Sequence, residues 1–282
     1  MDGTFSVVPA IFAQLYTIHV KVNDEFMPHL WCLLPDKHLN TYTRLFQILQ
    51  AEALKINCVL NPTTVHIDFE MAVITAVRAQ FGIEPSGCLF HFNQSLLRHM
   101  ASNGLQTPYN TNNPPEVRKT VRRLMALPLV PPLRIDQAFQ AVAANAPPVP
   151  GMVDMVNYVR DTYIDPQRAL FDRAVWNCYN MKDRTTNSCE AYHRVINEFF
   201  HHRHPDPFRF CRFVQDQEME LERRIGQLNM GAPAKKRRPV YVLVDDALTR
   251  LRNMYFGARI PSVNALMMYM DAVAHQLYDV KH

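Results

Sequence analysis

The order of secondary-structure elements in the first hundred residues constrains the fold more than any other feature. Residues 14–22 and 28–34 are rich in β-branched, aromatic and other apolar side chains, which is typical of strands. The link between them is short enough for an antiparallel pair. Strands at 63–67 and 86–90 then alternate with helices, and residues 2–8 would supply a first strand. This order predicts an α/β fold in which a mixed sheet is flanked by helices.

Apolar residues spaced three and four positions apart predict the helices of this region. The first begins at Asn40 or Thr41, and its apolar face consists of Tyr42, Leu45, Phe46, Leu49 and Ala53. The next two helices are predicted at 69–81 and 92–101.

Beyond Gln106 the character of the sequence changes, because strands disappear and prolines separate helical segments. The helices predicted in the rest of the chain are 116–127, 135–145, 152–162, 187–200, 207–228, 244–255 and 262–278. We therefore expect four regions: the N-terminal part of the core at 1–104, an all-helical insertion at 105–185, a core helix within 186–204, and a helical C-terminal region at 205–282 with a basic linker at 231–239.

The composition limits the class of protein. The 282 residues are 48% hydrophobic and 20% charged, which excludes a disordered chain and a coiled coil. With only 8 glycines, a nucleotide-binding protein built on a glycine-rich loop is disfavoured. Lys and Arg outnumber Asp and Glu by 30 to 26, and the resulting net charge of +4 is compatible with nucleic acid as a partner.

Targeting and redox signals favour an intracellular protein. The sequence has no run of apolar residues long enough for a membrane-spanning helix. Its start, Met1–Thr4, lacks the basic residues and apolar run of a signal peptide. The six cysteines are scattered over a long chain, so we expect reduced thiols.

Three carboxylates are informative as a set. Asp68 follows an apolar strand and precedes a helix, a position that suits either a functional group at a strand end or a helix N-cap. Asp2 alone is typical of a solvated terminus, and Glu190 alone is typical of a helix surface. Together they have the chain order of the carboxylates in a ribonuclease-H-like fold, where two or three of them converge on Mg²⁺ or Mn²⁺.

From Asp2 to about residue 205 the chain resembles the Mutator-like element (MULE) transposase domain. The order and spacing of several short stretches carry this resemblance. The matching residues are Asp2–Phe5 with Pro9, Gln14–Ile18, Thr41-Tyr42, Leu45-Phe46, Ile67–Glu70, Gly87–Phe92, Trp176-Asn177 with Tyr179, Arg184–Asn187, and Glu190–His193.

The resemblance implies a ribonuclease-H-like core that carries out cut-and-paste DNA transposition in the nucleus. Its DDE triad falls on Asp2, Asp68 and Glu190, which would bind two Mg²⁺ or Mn²⁺ ions. One ion would activate water or a 3′-hydroxyl, and the other would stabilise the leaving oxygen. The partners implied are transposon ends and target DNA, and a second copy of the chain, without any membrane. Glu70 is interpreted as a charge that interacts favourably with the start of its helix.

Cys88 and His91 have the spacing of half a zinc site. His193, three residues after Glu190, could face them from the later helix, and Cys189 and His99 are weaker candidates. Three interpretations stay open for this set: packing of the core, a role near the carboxylates, and zinc binding.

Basic residues cluster in three places, and Lys and Arg contacts to phosphate would give salt-dependent affinity for DNA. The clusters are Arg118, Lys119, Arg122 and Arg123; then His201, His202, Arg203, His204, Arg209 and Arg212; and then Lys235–Arg238. The second is close to Glu190 in sequence, so Arg203, Arg209 and Arg212 are the predicted DNA contacts. A solvated helix face is the alternative for the first cluster, and a nuclear localisation signal is one interpretation of the third.

Trp176 is a candidate for stacking on a flipped base, with an anchor of the core as the alternative.

The start of the chain raises a competing hypothesis. The central strand of a ribonuclease-H-like core would lead into Asp2, and here that strand is clipped, so we expect Asp2 to lie on a frayed terminus. The DNA-recognition module that such transposases usually carry has no counterpart in the sequence. The chain is therefore interpreted either as a transposase domain, active or inactivated by truncation, or as a transposase-derived protein that binds DNA, chromatin or other proteins without catalysis.

Overall fold

The antiparallel pair predicted near the N-terminus is present in the structure. The computed structural model describes residues 1–5, 7–202, 204–257 and 261–279, and has a mixed α/β fold. In chain order the elements are β1 (Asp2–Thr4), β2 (Gln14–Val22), β3 (Glu25–Leu34), α1 (Leu39–Lys55), β4 (His66–Ile67), α2 (Met71–Phe81), β5 (Ser86–Gly87), α3 (Leu89–Ser102), α4 (Gln106–Thr111), α5 (Pro115–Ala126), α6 (Ile135–Ala144), α7 (Met152–Val159), α8 (Arg173–Trp176), α9 (Asn187–Phe200), α10 (Pro207–Asn229), α11 (Pro239–Phe256) and α12 (Val263–Tyr278).

The three-stranded sheet has the order β1-β2-β3 and both pairings are antiparallel. β3 begins at Glu25, three residues earlier than predicted, because Asn23 and Asp24 alone form the turn. Both have positive φ, 46° and 65°, which is the backbone that a two-residue hairpin requires and that Asn and Asp tolerate. β1 pairs with β2 so that Asp2 lies opposite Thr17.

The remaining strands are shorter than the sequence predicted. β4 spans two residues and ends directly before Asp68. β5 spans two residues, where five were expected, because α3 already begins at Leu89. The buried side chains of α3 are Leu89, Phe92, Leu96 and Met100, and this three-and-four spacing favours the helix over a continued strand.

The predicted helices are present, but α3 begins three residues earlier than predicted, and α4 and α8 were not predicted. α9 has the predicted bounds, and α5, α6, α10 and α12 differ by one residue at one or both ends. α11 begins five residues earlier than predicted, with Pro239 at its first position, where a missing N–H costs nothing. α7 is followed by a π-helical segment at Arg160–Ile164.

The chain forms two compact units. The first combines Met1–Pro85 with Thr185–Lys236, and the second combines Ser86–Arg184 with Arg237–His282. In the first unit, α9 and α10 pack against the three-stranded sheet. The buried residues of this core are Val7, Val8, Leu15, Ile196, Phe200, Phe210 and Phe213.

The second unit is helical and has an aromatic core. Phe92 of α3 stacks on Trp176 of α8 with ring centroids 5.7 Å apart, and Tyr163 contacts both rings. In α12 the carboxylate of Asp271 receives two hydrogen bonds of 2.6 Å from Arg123 of α5, which fixes these two helices together. Within the described residues, none of the helices is long and apolar enough to cross a membrane.

Candidate carboxylate site

Asp2 is held in the sheet, so the expectation of a frayed terminus was wrong. Asp2 is only 6% exposed, and its Oδ1 accepts a hydrogen bond of 2.8 Å from the backbone N–H of Gly3. The nitrogen of Met1 donates to the carbonyl oxygen of His66 at 2.7 Å. β1 pairs with β2 on one side, and on the other side this hydrogen bond ties Met1 to the first residue of β4. These contacts order a strand that is too short to be ordered by its length alone.

His193 is the side chain from α9 that contacts Asp2. Its Nδ1 lies 3.5 Å from Oδ2 of Asp2, and its Nε2 lies 2.9 Å from Oγ1 of Thr17 on β2. Burial lowers the pKa of His193 to about 4, so the ring is neutral at pH 7. Both ring nitrogens therefore have partners within the first unit, and in this arrangement neither is left for the zinc interpretation.

Asp68 follows β4 directly, as predicted, but it is not the N-cap of the next helix. The N-cap of α2 is Glu70, so the capping interpretation of Asp68 was wrong. Asp68 is half-buried, and Tyr16 is a buried residue of β2. Burial raises the pKa of Tyr16 well above its ordinary value, and the negative charges of Asp68, Glu70 and Asp2 add to this rise. Carboxylates from β1 and from the end of β4 thus act on the same phenol.

Glu70 also belongs to this acidic group, whereas the sequence had indicated only a charge at the start of a helix. Both of its carboxylate oxygens lie 3.1 Å from the hydroxyl of Tyr42, which donates to them, and Tyr42 in turn accepts from Nε2 of Gln14 at 2.7 Å. Burial raises the pKa of Glu70, and the nearby charge of Asp68 raises it further. Its side chain is therefore oriented by Tyr42, and its position as the N-cap residue of α2 is compatible with the helix-dipole interaction that we expected.

Glu190 lies in the first turn of α9 and is half-buried. His193 is three residues later, so the two side chains share a face of the helix. The preceding residue, Cys189, is buried, which raises the pKa of its thiol, and the charge of Asp2 adds to the rise. The start of α9 is thus close to Asp2. Among the described residues, however, Asp2, Asp68 and Glu190 are not a set whose oxygens all lie within 4.8 Å of one another.

The donor chemistry of this group suits a hard divalent cation. Carboxylate oxygens are the ligands that Mg²⁺ and Mn²⁺ prefer. The like charges of Asp2, Asp68 and Glu70 are partly desolvated, and each raises the pKa of Tyr16. A bound cation would offset the repulsion between these carboxylates. The residues therefore fit such an ion in their chemistry.

Cys88 and His91 are at the start of α3 in the second unit. Cys88 is the buried N-cap residue, His91 is half-buried in the first turn, and the Cys88 Sγ lies within 4.8 Å of a His91 ring nitrogen. This arrangement is compatible with all three interpretations given above. His99, one of the weaker candidates, stacks on Tyr158 with ring centroids 4.0 Å apart.

The first basic cluster is occupied by contacts inside the second unit. Arg123 is paired with Asp271, Arg122 with Asp279, and Lys119 lies 3.6 Å from Asp271. Arg118 donates to the carbonyl oxygen of Tyr109 at 2.7 Å. Lys119, Arg122 and Arg123 thus neutralise acids of α12 and its end, so they offer little free charge to a phosphate backbone.

The second basic cluster surrounds the start of α10. Arg209 and Arg212 are exposed, whereas Arg203 lies outside the described residues. Asp206 caps the helix by accepting from the N–H groups of Phe208 and Arg209, at 2.9 and 3.1 Å. In the third cluster, Arg237 lies 2.7 Å from Asp245.

Trp176, the aromatic residue predicted to stack on a base, is buried, whereas Phe208 at the start of α10 is exposed. Trp176 is 1% exposed within the core of the second unit, so in this conformation it presents no face to a base and the core-anchor alternative describes it. Phe208, in the first turn of α10, is 86% exposed and next to Arg209. Local sequence gives no signal for this difference, because both positions are aromatic residues near helices.

The comparison with known families agrees with part of the predicted resemblance. Residues 1–95 match the family model described as the MULE transposase domain. This range contains Asp2, Asp68, Cys88 and His91, whereas Glu190 lies beyond it. No curated protein and no solved structure matches the chain. The resemblance of this chain to the MULE transposase domain is therefore confirmed over residues 1–95.

Proposed function

We propose that this chain is a metal-dependent DNA strand-cleaving and strand-joining domain of the MULE transposase type, with a ribonuclease-H-like core. The match over residues 1–95 supports a transposase-related function. The observation that carries the finer proposal is the acidic group around Tyr16, where Asp2 and Asp68 act on one buried phenol. Contact between His193 and Asp2 brings the helix that carries Glu190 to the same place.

In this proposal Asp2, Asp68 and Glu190 hold divalent ions. When bound, such ions supply charge stabilisation to the attacking and leaving oxygens of a phosphodiester. Glu70, oriented by Tyr42, adds negative charge close to Asp68. Tyr16 is itself shielded from water, with 1% of the residue exposed.

The DNA surface in this proposal is the start of α10. Exposed Arg209 and Arg212 would contact phosphates, and the exposed ring of Phe208 would stack on an unpaired base. The location in the nucleus follows from this substrate and from the run Lys235–Arg238, and it is part of the same proposal.

The test of the metal site is Mn²⁺-dependent thermal stabilisation of the purified chain. At about 100 times its dissociation constant, a ligand that binds only the folded state stabilises it by about 2.7 kcal/mol. We expect this shift in the parent and its loss in Asp68→Asn and Glu190→Gln. The matched control is Asp216→Asn, which removes an exposed acid of α10. Equal shifts in the parent and both site variants would contradict the proposal.

A second candidate, a transposase-derived protein that binds DNA without catalysis, is favoured by the spacing of the carboxylates. Among the described residues, the three of the predicted triad do not gather as one ligand set. DNA binding that survives Asp68→Asn and needs Arg209 and Arg212, without any Mn²⁺ shift in the parent, would support this candidate. Failure to bind DNA at low salt would instead indicate a protein-interaction role.

A further inference from the structure

We propose that His193 and Thr17 form a positioning pair that orients the carboxylate of Asp2 toward a divalent ion. The inference rests on the proposed function and adds to it two residues that do not themselves contact the ion. The pair joins three elements of the first unit, because Asp2 is on β1, Thr17 on β2 and His193 on α9.

The contacts around Asp2 form a closed ring. Thr17 lies opposite Asp2 in the sheet, and its Oγ1 is 2.9 Å from Nε2 of His193 and 3.3 Å from the carbonyl oxygen of Asp2. The other nitrogen of His193, Nδ1, lies 3.5 Å from Oδ2 of Asp2. All three residues are buried. The side chain of Asp2 thus contacts His193, and His193 contacts Thr17, whose hydroxyl lies beside the main chain of Asp2.

One distribution of protons satisfies these contacts best. The threonine hydroxyl has a single hydrogen, and its contact with His193 Nε2 is shorter than its contact with the Asp2 carbonyl. If Thr17 donates to Nε2, that nitrogen carries no proton, so the imidazole proton is on Nδ1 and points at the Asp2 carboxylate, and the 3.3 Å contact of Thr17 with the Asp2 carbonyl carries no hydrogen. The opposite tautomer would place a nitrogen lone pair against a carboxylate oxygen, which is repulsive.

This arrangement leaves the carboxylate oriented and still able to bind a cation. Oδ1 of Asp2 accepts from the N–H of Gly3, and Oδ2 faces His193. A carboxylate oxygen that accepts one hydrogen bond keeps a further lone pair, and metal-ligating carboxylates are commonly oriented in this way. Because Glu190 is three residues before His193 on the same face of α9, the pair also fixes the first predicted ligand relative to the third.

The test compares Mn²⁺ affinity, measured by calorimetric titration and by thermal shift, in two matched pairs of variants. His193→Asn keeps an amide N–H close to the position of Nδ1, whereas His193→Gln extends toward the position of Nε2 and withdraws the donor from Asp2. Thr17→Ser keeps the hydroxyl, whereas Thr17→Val keeps the shape and removes it. His202→Asn, at an exposed histidine, is the control.

We expect Mn²⁺ affinity about 10-fold weaker in His193→Gln and Thr17→Val, in the range found when partners of metal ligands are lost. His193→Asn, Thr17→Ser and His202→Asn should stay within about 3-fold of the parent. Folding is checked by cooperative melting in a chelator, and if the histidine variants fail this check, the threonine pair decides the result.

The outcomes separate this inference from the proposed function. Parental affinity in both His193→Gln and Thr17→Val, while Asp68→Asn and Glu190→Gln lose Mn²⁺, would overturn the positioning pair and leave the metal site standing. Weakening by the same factor in Thr17→Ser and Thr17→Val would also overturn it, because the hydroxyl would then not matter. A parent that binds no Mn²⁺ would overturn both proposals.

Discussion

Phe200 should be a main determinant of whether α9 stays on the sheet, and its neighbour Phe199 provides a matched control. Phe200 is 1% exposed and packs against Phe210 and Phe213, with ring centroids 6.0 and 5.2 Å away. Phe199 is adjacent in sequence but 44% exposed. We therefore expect Phe200→Ala to destabilise the first unit strongly and Phe199→Ala to do so only weakly.

The magnitude follows from the area that the ring buries. Fully burying a phenylalanine side chain, at about 25 cal/mol per Å² of apolar area, is worth about 1.5–3 kcal/mol. The cavity left inside the cluster raises the cost of Phe200→Ala to about 3–5 kcal/mol. At about 2–4 °C per kcal/mol this corresponds to a loss of about 6–20 °C in Tm.

The assay is urea unfolding monitored by far-UV circular dichroism, with calorimetry to separate the transitions of the two units. We also expect Phe200→Ala to weaken Mn²⁺ binding, because α9 carries Glu190 and His193. Similar losses of stability in Phe199→Ala and Phe200→Ala would refute the reasoning, since only one of the two rings is buried in the cluster.

Two further predictions concern the charged residues. Replacing Arg209 and Arg212 together by Ala should reduce the slope of log K for binding to duplex DNA against log salt concentration by up to about 1.8, since each phosphate contact contributes about 0.9. The control Arg123→Ala should leave this slope unchanged, because that side chain is paired with Asp271. Glu70→Gln should stabilise the fold at neutral pH in the absence of metal, because folding raises the pKa of Glu70 above its ordinary value of 4.5. The contribution of Glu70 to stability is therefore full below pH 4.5 and is lost as the pH rises through the raised pKa. Thermal melts at pH 4 and pH 8 would check this, and a gain at pH 4 that equals the gain at pH 8 would contradict it.

The sequence predicted helices better than strands because helical periodicity is a local signal. α9 was predicted with its observed bounds from the spacing of its own apolar residues. The strands at 63–67 and 86–90 proved to be two residues each, because an apolar run alone does not show where pairing ends.

The side-chain partners within the candidate site could not be predicted for a different reason. Asp2 was expected to lie on a frayed terminus. The structure instead places it against His193, which is 191 positions later in the chain, and a single sequence gives no information on a contact over that separation. The same applies to Arg123, whose acid partner is 148 residues away. Residue types and chain order indicated the carboxylate set. The side chains that orient Glu70 are Tyr42 and, through it, Gln14, and no spacing rule connects these three positions.

The first unit is assembled from two separate segments of the chain, and this has a consequence for how it can be made. Asp2 and Asp68 are in the segment that ends at Pro85, while Glu190 and His193 are in the segment that begins at Thr185. On a ribosome that adds about 5–20 residues per second, the early strands must wait about 5–20 s for α9. During that time the apolar face of the sheet lacks its cover, so nascent chains are exposed to aggregation, and synthesis at low temperature or with chaperones should raise the yield of folded protein.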